Sequence, residues 1–114
     1  MIGVDTPETL DPRKPVGCYG PEASAETKRL LEGKQVTLEA DLSQGDRDKY
    51  GRLLRYVYLV GTDTSFSTHL NLYLIEQGFG REYTYDKAYK YQDDFIAAQR
   101  DAGKYKRGLW GACS

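Results

Sequence analysis

Apolar and polar positions alternate along this chain with a period that changes from segment to segment. Ile2 to Val4 read as the end of a buried strand. Residues 10–19 hold Pro12, Pro15 and Gly17 among charges and read as a mobile loop. Pro21 then opens a helix at its first position, with Glu22 and Glu26 near the positive end of the dipole. Ala23, Thr27, Leu30 and Leu31 form its inward face, and Gly33 stops it. Over residues 35–42, Val36, Leu38, Ala40 and Leu42 alternate with polar positions, the pattern of a strand with one wet face. Residues 43–49 read as a polar turn. Residues 51–60 are the partner strand, with Leu54, Tyr56 and Tyr58 on one face. A hairpin is therefore expected, with Lys49, Tyr50 and Arg52 at one end of the sheet. After a turn at Gly61-Thr62-Asp63, Leu70, Tyr73, Leu74 and Gln77 predict a helix over 67–77, ended by Gly78. Residues 79–85 read as extended. The last helix is expected over 90–106, with Tyr91, Phe95, Ala98, Ala102 and Tyr105 in one core-facing stripe. Leu109 and Trp110 are expected to pack back on the domain.

Composition narrows the picture. A chain of 114 residues, 39% hydrophobic and 29% charged, suits one small globular domain. No apolar run is long enough to span a bilayer, so no membrane partner is expected. The net charge of −1 argues against a broad, non-specific grip on nucleic acid. Any phosphate binding must be local. Arg47, Lys49, Arg52 and Arg55 are the densest basic group, which by itself equally describes a solvated hairpin end. Of the ten tyrosines, most are expected in half-buried packing and a few could stack on bases.

The candidate chemistry lies where the first strand ends. Asp5 and Glu8 stand three residues apart on backbone stiffened by Pro7. Carboxylates and carbonyls suit a hard cation such as Ca²⁺, and a second carboxylate could hold or deprotonate a water. Taken alone, Thr6-Pro7 equally reads as the cap of a helical turn. His69 is the only histidine, with no Ser or Cys nucleophile beside it, and reads as structural or solvent-facing. No zinc pattern is present. Cys18 and Cys113 are either two unrelated thiols or, in an exported protein, a disulfide.

Several motifs in order decide between these readings. Gly3-Val4-Asp5-Thr6-Pro7-Glu8-Thr9, Tyr19-Gly20-Pro21-Glu22-Ala23-Ser24 and Asp48-Lys49-Tyr50-Gly51-Arg52 resemble the staphylococcal nuclease (thermonuclease) family. The likeness continues through Glu76-Gln77-Gly78, Tyr83-Thr84-Tyr85 and Gly108-Leu109-Trp110, and so covers nearly the whole chain. It implies an α+β fold: an OB-fold β-barrel with about three helices. It implies a nuclease that hydrolyses DNA and RNA with Ca²⁺. Asp5 and the Thr6 carbonyl would be metal ligands, Glu8 would position or activate water, and Arg52 would contact phosphate. Lys49, Tyr50 and Tyr83 would line the nucleotide pocket. The segment before Tyr83 is one residue shorter than the family pattern, which makes it the least firmly aligned of these. The resemblance also implies a Cys18–Cys113 disulfide and a secreted or cell-surface bacterial protein.

One departure stands out. The family carries two strands and most of a third ahead of the Val-Asp-Thr-Pro-Glu segment, with a further calcium-binding Asp and a second phosphate-binding Arg. On this reading the 114 residues are a nuclease domain incomplete at its front. Unpaired strand edges are then expected. A complete barrel implies a monomer, and open edges allow a strand-exchanged oligomer. The competing reading is an impaired module of this fold that binds nucleic acid or a protein partner.

Overall fold

A computed structural model of the chain describes residues 1–6, 17–60, 67–84 and 87–113, and the backbone only of Ser67 and Thr68. Residues 10–16 of the loop expected over 10–19, the turn at 61–63, Glu8 and Tyr85 lie outside the described residues. Strand β1 is Val4–Asp5, helix α1 Gly20–Leu31, strand β2 Val36–Glu39 and strand β3 Tyr56–Val60. Strand β4 (Ser67–His69), helix α2 (Leu70–Glu76) and strand β5 (Arg81–Glu82) follow, then helices α3 (Gln92–Lys104) and α4 (Leu109–Ala112). This is an α+β chain. All strand pairs are antiparallel: β1 with β5, and β2-β3-β4 in that order. The two sheets do not close into one barrel among the described residues.

The elements sit close to where the periodicity puts them, with five corrections. Helix α1 starts at Gly20, one residue ahead of Pro21. The expected start of the second helix is a strand instead: Ser67–His69 pairs with Val60, Leu59 and Tyr58, and the helix begins at Leu70. The hairpin strands are shorter than the alternation predicts, because residues 40–55 leave the ladder. Turns at Asp41 and Asp48 divert that segment, whose strand pairing is reduced to the isolated bridge Arg47↔Leu53. The face that the alternation marks as inward is open: Val36 is 40% and Leu38 52% exposed, and Leu42 is fully exposed. Tyr105 likewise leaves the buried stripe of α3, which is Phe95, Ala98 and Ala102.

The core gathers Ile2, Tyr56, Ile75, Tyr89, Phe95 and Ala98, with Val4, Leu54 and Leu72 packed against it. Its placement fixes β1. A Cβ on Gly3 would lie 2.6 Å from the Phe95 ring, and its φ of +79° is one that glycine alone adopts freely. Asn71 is fully buried in the otherwise apolar face of α2. Its Oδ1 accepts from Val57 N at 2.8 Å, and its Nδ2 donates to Ile2 O at 2.9 Å and Arg55 O at 3.3 Å. One side chain thereby ties β1 to the start of β3. Left unsatisfied, each such buried group costs about 1–3 kcal/mol, so this position tolerates little.

The predicted disulfide is present. Cys18 and Cys113 are bonded with Cα atoms 6.0 Å apart, joining the residue pair ahead of α1 to the end of α4. Leu109 is buried and Trp110 half-buried, with the Arg81 guanidinium 5.0 Å from the indole.

Candidate active site

Two segments carry the sequence-predicted residues that the structure describes. The first is the exposed end of β1. Ile2 N donates to Arg55 O at 3.1 Å, and Tyr83 N donates to Gly3 O at 2.9 Å. Strand β1 therefore runs between the base of the 40–55 segment and β5. Asp5 and Thr6 follow on the solvent side, neither of them turned into the core. Tyr83 lies on the neighbouring strand's exit and is 48% exposed.

The second segment is the turn Asp48–Arg52, where Gly51 takes a φ of +84°. Asp48 Oδ1 accepts the backbone N–H groups of Tyr50 and Arg52, both at 2.9 Å. Its Oδ2 accepts from Arg52 Nε at 2.8 Å. Burial alone would raise the Asp48 carboxyl. The two N–H groups and the guanidinium outweigh it and hold it below the ordinary carboxylate range. Arg52 is thus aimed by a neighbour while its side chain stays 74% exposed. Both Lys49 Nζ, at 5.2 Å, and the Arg52 guanidinium, at 5.4 Å, stand over the Tyr50 ring. Lys49, Tyr50 and Arg52 form one cationic, aromatic tip. Among the described residues no hydrogen bond or ion pair joins Asp5 or Thr6 to that tip. The Ile2–Arg55 bond and Asn71 join the base of the arm to the first segment.

The donor set suits a hard cation in type: a carboxylate at Asp5 and the backbone carbonyl of Thr6. It is small in number, and among the described residues no group of three or more metal-ligating side chains occurs. Glu8, the third acidic candidate, lies outside the described residues.

Sequence reasoning gave Asp48 and Asn71 no role. For Asn71 the signal was available, as a lone amide among Leu70, Leu74 and Ile75. For Asp48 it was the turn-forming Gly51 three residues later, which brings a carboxylate back onto Arg52.

His69 is structural, one of the two expectations for it. Its ring stacks on Tyr58 at 4.6 Å and meets Tyr56 and Tyr91 edge-on at 5.6 and 5.1 Å. Nε2 is buried without a hydrogen-bond partner among the described residues. Burial lowers its pKa, against the weaker upward pull of Glu39 and Asp94. The folded state then binds fewer protons than the unfolded state once the pH falls below the ordinary value of 6.5. The stabilisation is complete above that pH and is lost as the pH falls through the lowered value. Thermal melts of the parent are expected to drop more between pH 7.5 and 5 than those of His69→Phe. Parallel curves would rule this out.

Comparison with known proteins now adds to the geometry. The family model described as staphylococcal nuclease homologue matches residues 1–112. The chain is 44% identical over 110 residues to a thermonuclease of Staphylococcus hyicus, covering 96% of this chain and 60% of that protein. It is 41% identical to a thermonuclease of Staphylococcus intermedius, covering 96% of this chain and 61% of the relative. It is 39% identical over 109 residues to endonuclease YncB of Bacillus subtilis, covering 94% and 48% respectively. The chain therefore spans about 60% of the length of the first two relatives. With a family match over nearly every residue, and with the Asp48–Arg52 turn and the exposed Asp5 in place, the chain belongs to the staphylococcal nuclease homologue family.

Proposed function

We propose that this chain carries the catalytic elements of a Ca²⁺-dependent nuclease that hydrolyses phosphodiester bonds of DNA and RNA. The observation that carries the reading is the tip of the 40–55 segment. There Asp48 orients Arg52 through Nε, while Lys49 and Tyr50 stand beside it.

A phosphodiester is anionic and repels a hydroxide nucleophile. The Arg52 guanidinium, solvent-exposed and fixed in orientation, binds phosphate oxygens and neutralises charge that grows as water adds. Lys49 adds a second positive charge at the same tip. Tyr50 and Tyr83 offer ring faces to sugar or base. Asp5 and the Thr6 carbonyl would hold the metal, which when bound would supply Lewis-acid stabilisation and a more acidic water. Glu8 takes the role of positioning that water or accepting its proton. Export to the cell surface or medium fits a disulfide-bonded protein. No helix among the described residues is long and apolar enough to cross a membrane.

Strand β2 has no outer neighbour among the described residues, its Val36 and Leu38 are open, and the thermonuclease relatives are longer.

The test of Asp5 is a Ca²⁺ titration of DNA cleavage. Asp5→Ala is expected to need at least about ten-fold more Ca²⁺ for half-maximal rate and to recover part of its activity at high Ca²⁺, because one anionic ligand is lost from a shell of several. An unchanged Ca²⁺ midpoint would remove Asp5 from the metal site.

A further inference from the structure

Residues 40–55 leave the sheet as an arm with Lys49, Tyr50 and Arg52 at its tip. Many of its bonds are internal. Asp48 N donates to Arg52 O and Leu54 N to Asp46 O, both at 2.9 Å, and Arg47 donates to Gly51 O at 2.7 Å. Bonds of this kind keep the arm's shape without fixing where it points. Its returning limb is anchored at Arg55 by Ile2 and Asn71. Arg55 in turn holds Asp46 of the outgoing limb, which has two further anchors outside the arm. One is weak and solvent-exposed: Gln44 Nε2 donates to Lys87 O at 3.2 Å and Ala88 O at 3.4 Å.

The other is Asp41. Its Oδ2 accepts from Tyr56 Oη at 2.6 Å and from Lys90 N at 2.8 Å. Its Oδ1 accepts from Ser43 N at 2.9 Å and Ser43 Oγ at 2.7 Å. Tyr56 is fully buried in the core and is the first residue after the arm returns. Lys90 leads into α3. One carboxylate thus joins the arm's first turn, the strand that receives the arm, and the approach to the last long helix. Burial alone would raise the Asp41 carboxyl, but its four donors outweigh that and hold it well below the usual carboxylate range.

We propose that Asp41 is a positioning residue for phosphodiester cleavage, clamping the outgoing limb of the arm and so fixing Arg52 relative to β1. This rests on the reading of Arg52 as the phosphate-contacting group. Asp41 itself touches no substrate. It acts through placement, where a shift of about 1 Å can cost about 10²-fold in rate.

The test pairs a readout that needs no activity with one that does. Asn in place of Asp41 keeps the size but can accept at only one of the two oxygen positions. Amide hydrogen exchange of Asp41→Asn is expected to accelerate about ten-fold or more across residues 43–53, with α2 and α3 unchanged. Tyr56→Phe removes a single donor and is expected to do the same to a smaller degree. It also serves as the deciding variant if Asp41→Asn does not fold. In DNA cleavage, Asp41→Asn is expected to lower kcat about 10- to 100-fold with little change in KM. Added to Arg52→Ala, it should cost less than two-fold more, because both changes remove the same aimed guanidinium. Protection over 43–53 that is unchanged, or lost equally throughout the molecule, would overturn the clamp. So would full additivity with Arg52→Ala. If the parent does not cleave DNA at all, the nuclease reading fails, and the exchange experiment still decides whether Asp41 clamps the arm.

Discussion

Arg52→Ala is expected to lower kcat for DNA cleavage by about 10²–10³, the usual cost of removing one preorganised donor to a charge that develops in the transition state. Two observations set the size and the specificity of this effect. The guanidinium is held through Nε by Asp48, so its orientation is established before substrate arrives. Its side chain is 74% exposed, so truncation leaves no cavity and the melting temperature should be nearly unchanged. Its effect should fall mainly on kcat, because the charge it meets grows between bound substrate and transition state. Arg52→Lys should recover little, since a point charge cannot reproduce a planar fork aimed by a carboxylate. A change confined to KM would reassign Arg52 to uniform substrate binding.

The second large effect concerns stability. The Cys18–Cys113 bond spans a sequence separation of 95 residues and fastens the approach to α1 against the end of α4. Helix α4 is one turn long, and its hold on the body is the buried Leu109 together with the close Gly78–Gly108 contact, where Leu109 N donates to Gly78 O at 2.8 Å. Chain-entropy reasoning gives about 4.7 kcal/mol for a loop of about 100 residues, and loss of a native bridge in a small domain costs about 2–5 kcal/mol. Against a typical total of about 5–15 kcal/mol this is a large share. The double variant Cys18→Ser, Cys113→Ser is expected to unfold at markedly lower urea, by an amount equivalent to about 2–5 kcal/mol. A midpoint equal to the parent's would mean that the bridge constrains nothing that packing does not already hold. Arg52 chemistry should survive in the folded fraction, because neither cysteine touches the arm.

How legible all this was in the sequence varies with the range of the forces involved. Helical stripes are local, so α1 and α3 were readable from Ala23 and from Phe95, Ala98 and Ala102. The 67–69 segment was not, because strand pairing with Tyr58 to Val60 is a long-range preference that overrides the helical spacing of Leu70 onward. The alternation of Val36 and Leu38 marked a strand correctly. It could not show that the face they share would lack a partner, since that depends on what lies across from it. Within the site, motif likeness pointed to Arg52, Lys49 and Tyr50, and the structure brings these three together. The carboxylates that place them, Asp48 and Asp41, carry no signature of their own. Their roles depend on turns that return the chain onto itself, and on Tyr56 and Lys90 arriving from distant positions. Asp5 is solvent-facing, and its pairing with Glu8 concerns a residue outside the described structure.

The central claim is that these residues serve metal-dependent phosphodiester hydrolysis. Its most direct test is release of acid-soluble nucleotides from DNA, measured in Ca²⁺ and in EDTA. The account predicts release that requires Ca²⁺. Release that is equally fast in EDTA, or no release at any Ca²⁺ concentration, would contradict it.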